Sequence, residues 1–204
     1  MCDRLMEHYY TKEPTGEYRE HNISPYVMGK RFEFITADGV FSKSGADIGT
    51  MTLLSALFSR HSKIGTLLDI SCGYGIMGIS AASIVGADVT MCDINRRAVM
   101  LAQKNAKKND VVARVIESDG YDNIEGKYDI IITNPPIRAG KKVFYQWIEN
   151  SKDYLNENGE FWLVAQKKHG AKSIKALMEN TFGNCETVKK DNGIFVLMSK
   201  NTKD

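Results

Sequence analysis

The tetrapeptide Asn134-Pro135-Pro136-Ile137 ends an apolar run, Tyr128-Asp129-Ile130-Ile131-Ile132-Thr133, that reads as a buried strand. Two successive prolines supply no backbone N–H and hold φ near one value. The tetrapeptide therefore predicts a rigid corner with its carbonyls pointing outward. An Asn side-chain oxygen beside those carbonyls makes a cluster of acceptors with neither acid nor base among them. Such a cluster suits gripping an exocyclic –NH2 group and aiming its nitrogen lone pair. The plainer reading is a proline-stiffened strand-to-loop turn, and the tetrapeptide alone does not separate the two.

A second motif lies upstream. Leu67-Leu68-Asp69-Ile70 runs into Ser71-Cys72-Gly73-Tyr74-Gly75-Ile76-Met77-Gly78, and an apolar helix over Ile79–Val85 follows. Glycines at such a point allow a tight turn and close approach of the backbone to a ligand. Gly73, Gly75 and Gly78 satisfy the G-x-G-x-x-G dinucleotide pattern, a weak signal by itself. The next apolar run, Ala87 to Cys92, ends at Asp93, twenty residues after Gly73. A carboxylate at the tip of a second strand can accept both hydroxyls of a ribose. A third run, Val111 to Ile116, leads to Glu117-Ser118-Asp119-Gly120. Asp119 is placed there to accept a hydrogen bond from an adenine amine; its plainer reading is a cap or turn residue. Charge separates the candidate ligands. Asp69 precedes Gly73 by four residues, and a carboxylate at that point repels a pyrophosphate. S-adenosylmethionine has no phosphate and carries an ammonium and a sulfonium, so this motif favours it over NAD.

The elements that must position these residues follow from alternation. Thr50–His61 predicts a helix with Leu53, Leu54, Leu57 and Phe58 on one face. Strand–helix units repeat through Leu67, Val89, Val115 and Ile130, and Asn95 is a cap for a helix over Arg96–Lys108. Val143–Asn150 and Ser173–Phe182 are further helices, the first with Phe144, Trp147 and Ile148 inward. Cys185–Lys189 and Ile194–Ser199 close the chain as a pair of strands about Asp191-Asn192-Gly193. Val27–Thr36 and Val40-Phe41 read as extended segments before the first helix. The expected fold is α/β: a Rossmann-like, seven-stranded, mostly parallel sheet with an antiparallel C-terminal strand, helices on both faces and a short N-terminal β extension. The expected organisation is a single domain over 1–204, with an extension over 1–49 and the core over 50–204. The first 25 residues, polar and uneven, are candidates to cover the cleft.

The series Asp69…Gly73-x-Gly75, Asp93, Asp119 and Asn134-Pro135-Pro136-Ile137 resembles the class I S-adenosylmethionine-dependent methyltransferases. Gly39-Val40-Phe41-Ser42 and Asp47-Ile48-Gly49-Thr50 narrow the resemblance to the ribosomal RNA small-subunit guanine-N2 methyltransferase (RsmC-like) family, from about Val40 to the C-terminus. The resemblance implies cofactor binding by Asp69, Ser71, Gly73, Gly75, Asp93, Ile94, Asp119 and Asn134, and catalysis by Asn134, Pro135, Pro136 and Ile137. Two departures stand out. Ser71 occupies a position where many relatives have glycine, which keeps the turn if its φ is negative. Ile137 stands where many relatives carry an aromatic, so base stacking would come from elsewhere, with Phe41, Phe144, Tyr145 and Trp162 as candidates. Packing in the core is the favoured reading for Trp162.

Composition agrees. The chain has 204 residues, 43% hydrophobic and 25% charged, which fits a globular core and argues against disorder. No run reaches the length of a membrane span. Four scattered cysteines and four dispersed histidines predict a reduced, cytoplasmic protein without a metal site. Net charge is only +2, but Arg138, Lys141 and Lys142 follow the Asn-Pro-Pro corner, and Lys167, Lys168 and His169 follow the apolar run Phe161–Ala165. In an open parallel sheet both groups border one cleft, where RNA phosphates need neutralising. Phe41, Arg138, Lys141, Lys142 and Phe144 are thus the candidate substrate-binding residues, and the expected partner is ribosomal RNA or the small ribosomal subunit, bound by a monomer or homodimer. The rivals are a methyltransferase acting on a protein glutamine amide or adenine N6, and a noncatalytic S-adenosylmethionine-binding RNA module.

Overall fold

In the computed structural model, residues 11–13, 17–42, 45–135 and 141–202 are described; the side chains of Lys141 and Lys142 are not. Pro136, Ile137 and Arg138 lie outside the described residues. The chain begins with two small antiparallel pairs. Strand β1 (Glu20–Ile23) pairs with β4 (Phe34–Ala37), and β2 (Tyr26–Val27) pairs with β3 (Lys30–Arg31). The extended run expected over Val27–Thr36 is therefore broken, at Met28-Gly29, where both residues take positive φ.

Helix α1 (Ile48–Arg60) follows, then β5 (Thr66–Ile70), α2 (Ile76–Val85), β6 (Asp88–Asp93), α3 (Arg96–Lys108), β7 (Arg114–Glu117), β8 (Tyr128–Thr133), α4 (Lys141–Asn150), β9 (Leu155–Gln166), α5 (Ala171–Phe182), β10 (Glu186–Asp191) and β11 (Ile194–Lys200). The last seven strands form one sheet in the order β10-β11-β9-β8-β5-β6-β7. Strands β9, β8, β5, β6 and β7 pair in parallel, and β11 runs antiparallel to both of its neighbours. This is the expected Rossmann-like sheet with its antiparallel closing strand.

Period-two alternation splits the core in two. Leu67, Ile130, Ile132, Trp162 and Val164 point to one face, under α1, α2 and α3 with Leu53, Ile79 and Leu101. Leu68, Ile70, Ile131, Phe161 and Leu163 point to the other, under α4 and α5 with Ile148, Ile174 and Met178. Burial on both faces explains why the central strands read as continuous apolar runs. The N-terminal segment joins the first of these cores through Phe32, Phe34, Ala37 and Val40.

The β1–β4 pair docks on α3 by side-chain amides. Asn105 accepts from the Ile35 N–H (2.7 Å) and donates to the Ile35 carbonyl (2.8 Å). Asn109 does the same for Glu33, at 3.0 and 2.8 Å. Four helical residues rise about 6 Å and two strand residues about 6.7 Å. Amides at i and i+4 of a helix can therefore meet alternate residues of a strand and pair its open edge. Among the described residues, no helix is long and apolar enough to cross a membrane.

Candidate active site

Strand order places the site. From β5 the chain proceeds outward to β6 and β7; from β8 it proceeds the other way to β9. The loops after β5 and β8 thus part, and open α/β sheets bind ligands in that crevice. The register sets Ile70 beside Thr133, whose hydroxyl donates to the Ile70 carbonyl at 2.9 Å. Consequently Ser71 and Asn134, the next residues of the two strands, emerge side by side. Both line a pocket with Phe41, Ser42, Thr50, Gly73 and Tyr74.

The turn after β5 is wound through positive φ at Ser71 (60°), Gly73 (57°) and Gly75 (92°). Ser71 therefore does not keep the turn with a negative φ. It carries a left-handed backbone, at a cost of about 1 kcal/mol for an L residue. A Cβ on Gly78 would lie 2.6 Å from Met91 Cγ, so α2 packs against β6 only because that position lacks a side chain.

Asp69 requires a correction. It was expected at the mouth of the turn, repelling a pyrophosphate. Instead its side chain points to the α2 face, wholly buried, and accepts from the Gly78 N–H at 2.8 Å. Burial first, and the Asp93 charge after it, push its carboxyl up to about 8. It is a neutral prop beneath α2 at neutral pH, and the charge argument cannot rest on it. Two other carboxylates are hydrogen-bonded to residues that line the pocket, Gly73 and Thr50. Asp93, at the tip of β6, accepts from the Gly73 N–H and the Asn95 N–H at 2.9 Å each. Burial raises it to about 6, against the lowering effect of those backbone donors, so it is largely ionised at pH 7. Asp47 is the N-cap of α1, its Oδ2 accepting from the Thr50 N–H at 3.0 Å.

Asn134 is tied to that cap. Its Nδ2 donates to Asp47 Oδ2 and to Thr50 Oγ1, both at 2.9 Å. A carboxylate only accepts, so it is the –NH2 end of the amide that must face it. Both amide hydrogens are then engaged, and no described donor reaches Oδ1. An acceptor beside the Pro135 carbonyl is what an amine-gripping corner needs.

Other expected residues distribute unevenly. Ile94 is half-buried after β6, and Asp119 is exposed in the loop after β7. Phe41 is 47% exposed and lines the pocket. Phe144 does not: it is buried in the second core, edge-on to Tyr145, so it is a packing residue and not a surface on which a base can stack. Trp162 is core, as expected, its Nε1 donating to Glu160. Lys141 opens α4, and Lys167 and Lys168 are exposed just past β9 at the same edge of the sheet. Asp47 entered the sequence reading only as part of a family motif, and Thr50 besides that only as the first residue of the expected helix. A capping Asp three residues before Thr, ahead of an apolar helix, is a local signal for the cap. Its reach to Asn134, 87 residues away, is not local. Asn105 was missed altogether, because a buried amide reads as one more polar residue on an amphipathic helix.

The methyltransferase small domain model matches residues 31–198. Protein YbxB of Bacillus subtilis is 36% identical over 200 residues, 96% of this chain and 99% of its own length. Ribosomal RNA small subunit methyltransferase C of Vibrio vulnificus is 32% identical over 86% of this chain and 51% of its own length. The chain thus spans about half the length of the methyltransferase C relatives it matches. Among solved structures, the Thermus thermophilus 16S rRNA N2 G1207 methyltransferase in complex with AdoMet and guanosine superposes with a TM-score of 0.81, at 26% identity, over 92% of this chain and 52% of that one. A ribosomal protein L11 methylase from Lactobacillus delbrueckii, at 18% identity and a TM-score of 0.66, shares the fold. With that sheet, that glycine turn and those matches, the chain belongs to the methyltransferase small domain family, within the class I S-adenosylmethionine-dependent methyltransferases and similar to the RsmC enzymes.

Proposed function

We propose that this protein transfers a methyl group from S-adenosylmethionine to the exocyclic N2 amine of a guanine in ribosomal RNA. The observation that carries the reading is the orientation of Asn134, whose amide hydrogens are held by Asp47 and Thr50 and whose Oδ1 meets no described donor. The named activity of the Thermus relative, with its bound guanosine, supports the choice of base.

The residues fit the cofactor. Among the described residues the pocket lining carries no lysine or arginine, and the Asp93 carboxylate accepts from the N–H of Gly73, one of the lining residues. A cationic ligand is favoured there and a pyrophosphate is not. A Cβ built on Gly73 meets nothing within 4 Å, which leaves room against the turn. Asp93 would take the ribose hydroxyls, Asp119 the adenine amine, and N–H groups of the turn the cofactor carboxylate. When bound, S-adenosylmethionine supplies a methyl group on a sulfonium, already a strong electrophile.

The chain then has to align the nucleophile. The guanine N2 lone pair is delocalised into the ring. Asn134 Oδ1 and the Pro135 carbonyl, accepting the two amine hydrogens, localise that pair on nitrogen and aim it. Alignment of this kind is a large contributor to rate. The proton can leave after transfer, so no side chain need act as base. A base inside a duplex cannot reach such a corner and must be unpaired or flipped. Phe41, exposed at the rim, offers a face on which to stack it. Lys167 and Lys168 make no ion pair with any described residue, and with Lys141 and Lys142 they would neutralise phosphates along the same edge.

The test is incubation with labelled S-adenosylmethionine and small ribosomal subunits or free ribosomal RNA, then nucleoside mass spectrometry. N2-methylguanosine is the expected product. Label on adenine N6 or on a protein glutamine would overturn the choice of acceptor and leave the cofactor standing.

A further inference from the structure

We propose that Asp47 is a positioning residue, which sets the polarity of the Asn134 amide and so makes the acceptor corner. The inference rests on the reading of Asn134 given above and goes beyond it. An Asn side chain has two nearly isosteric orientations, and only one of them offers Oδ1 to an amine. Something must choose between them. Thr50 Oγ1 cannot choose, because a hydroxyl both donates and accepts. The Asp47 carboxylate can, because it only accepts. At 2.9 Å from Nδ2 it excludes the flipped amide, which would set two oxygens against each other.

The neighbourhood is built to hold that carboxylate in place. The Thr50 N–H donates to the same Oδ2 at 3.0 Å, and Thr50 Oγ1 takes the second hydrogen of the Asn134 amide. Gly49 lacks a side chain where the carboxylate folds back: a Cβ there would lie 2.8 Å from Asp47 Oδ2 and 3.3 Å from Val164. Glycine at 49 thus keeps the carboxylate turned toward β8. A residue needed only to cap α1 would have no use for this arrangement, since Asn and Ser cap a helix about as well as Asp.

That equivalence makes the test. Asp47→Asn keeps the cap, the shape and one hydrogen bond to Asn134, but an amide can donate as well as accept. Methylation of ribosomal RNA should lose about tenfold or more in kcat, with cofactor Kd and RNA KM within about twofold and Tm unchanged. Asp47→Ser, which caps but does not reach Asn134, should lose at least as much. Wild-type turnover in both variants would overturn the positioning role. Asn134→Ala in the same assay separates the two readings. If it is inactive while Asp47→Asn is not, only the role of Asp47 fails; if it too is fully active, the reading of Asn134 fails first. A second measurement needs no substrate. In 15N–1H spectra, the Asn134 side-chain amide protons should move sharply between the wild-type protein and Asp47→Ser. Amide resonances indifferent to that change would overturn the proposal independently of any activity.

Discussion

Asn105 and Asn134 are the same side chain in opposite states. Asn105, on α3, is fully buried and fully used: Nδ2 donates to the Ile35 and Tyr74 carbonyls, and Oδ1 accepts from the Ile35 N–H. Asn134, at the end of β8, has both hydrogens held by Asp47 and Thr50, and its oxygen takes no described donor. A buried amide with every atom paired is a structural joint, because leaving any of them unpaired costs free energy. An amide whose hydrogens are held by two acceptors, in a residue that lines a pocket, is prepared for something that arrives later. The aspartates divide the same way. Asp69 props α2 from below, while Asp93 and Asp47 border the crevice.

Substitutions at the two asparagines should therefore separate turnover from stability. Asn134→Ala removes an interaction made mainly while the amine is being aligned. Turnover should fall by about 100-fold to 1,000-fold, the scale for deleting one preorganised polar group at a reacting centre, while cofactor affinity changes little. Single-turnover methylation beside calorimetric binding checks this, and an equal loss in both would erase the contrast. Asn105→Leu should do the reverse. It strands the Ile35 N–H and two carbonyls, so chemical denaturation should show a loss of about 2–3 kcal/mol. The folded fraction should keep its turnover within a few-fold.

The aspartates sharpen the comparison through pH. The Asp69 carboxyl, raised to about 8, keeps its proton in the folded protein while the unfolded chain has released it above about pH 4. Its contribution is present in full below that value and is lost as pH rises toward 8. Between pH 6 and pH 7 the ligand-free protein should lose stability at about 1.4 kcal/mol per unit from this group alone. Asp69→Asn should remove that slope, leaving only the smaller share of Asp93, which ends near 6. Denaturation curves over pH 5 to 8 (about the range for carboxyls so raised) measure it, and an unchanged slope in Asp69→Asn would return Asp69 to the ionised state. The smallest effect belongs to Ser71. Its left-handed φ of 60° predicts that Ser71→Gly stabilises by about 0.5–1 kcal/mol in thermal denaturation. A destabilised variant would mean that the serine hydroxyl contributes more than the strain costs.

What could be read along the chain was whatever is encoded locally. Alternation and apolar runs fixed the succession of strands and helices from β5 onward, because a strand buried on both faces must be apolar throughout. Asn134-Pro135, the glycine turn and Asp93 were legible because each ends a strand, and the ends of parallel strands share one edge. Pattern also misled where two faces alternate. Asp69 lies one residue before Ile70, so it faces α2 and not the crevice; Phe144 turns inward with Trp147 and Ile148, as the helical spacing indicated, so only its candidacy as a stacking surface fails. Only the tertiary structure decided how Asn134 is oriented. The partners that orient it are the cap of a helix far back in the sequence, brought to β8 by the packing of α1 on the sheet. A hydrogen bond between residues so distant leaves no periodicity in the sequence, because its geometry is set by which strands are neighbours and not by the spacing between residues.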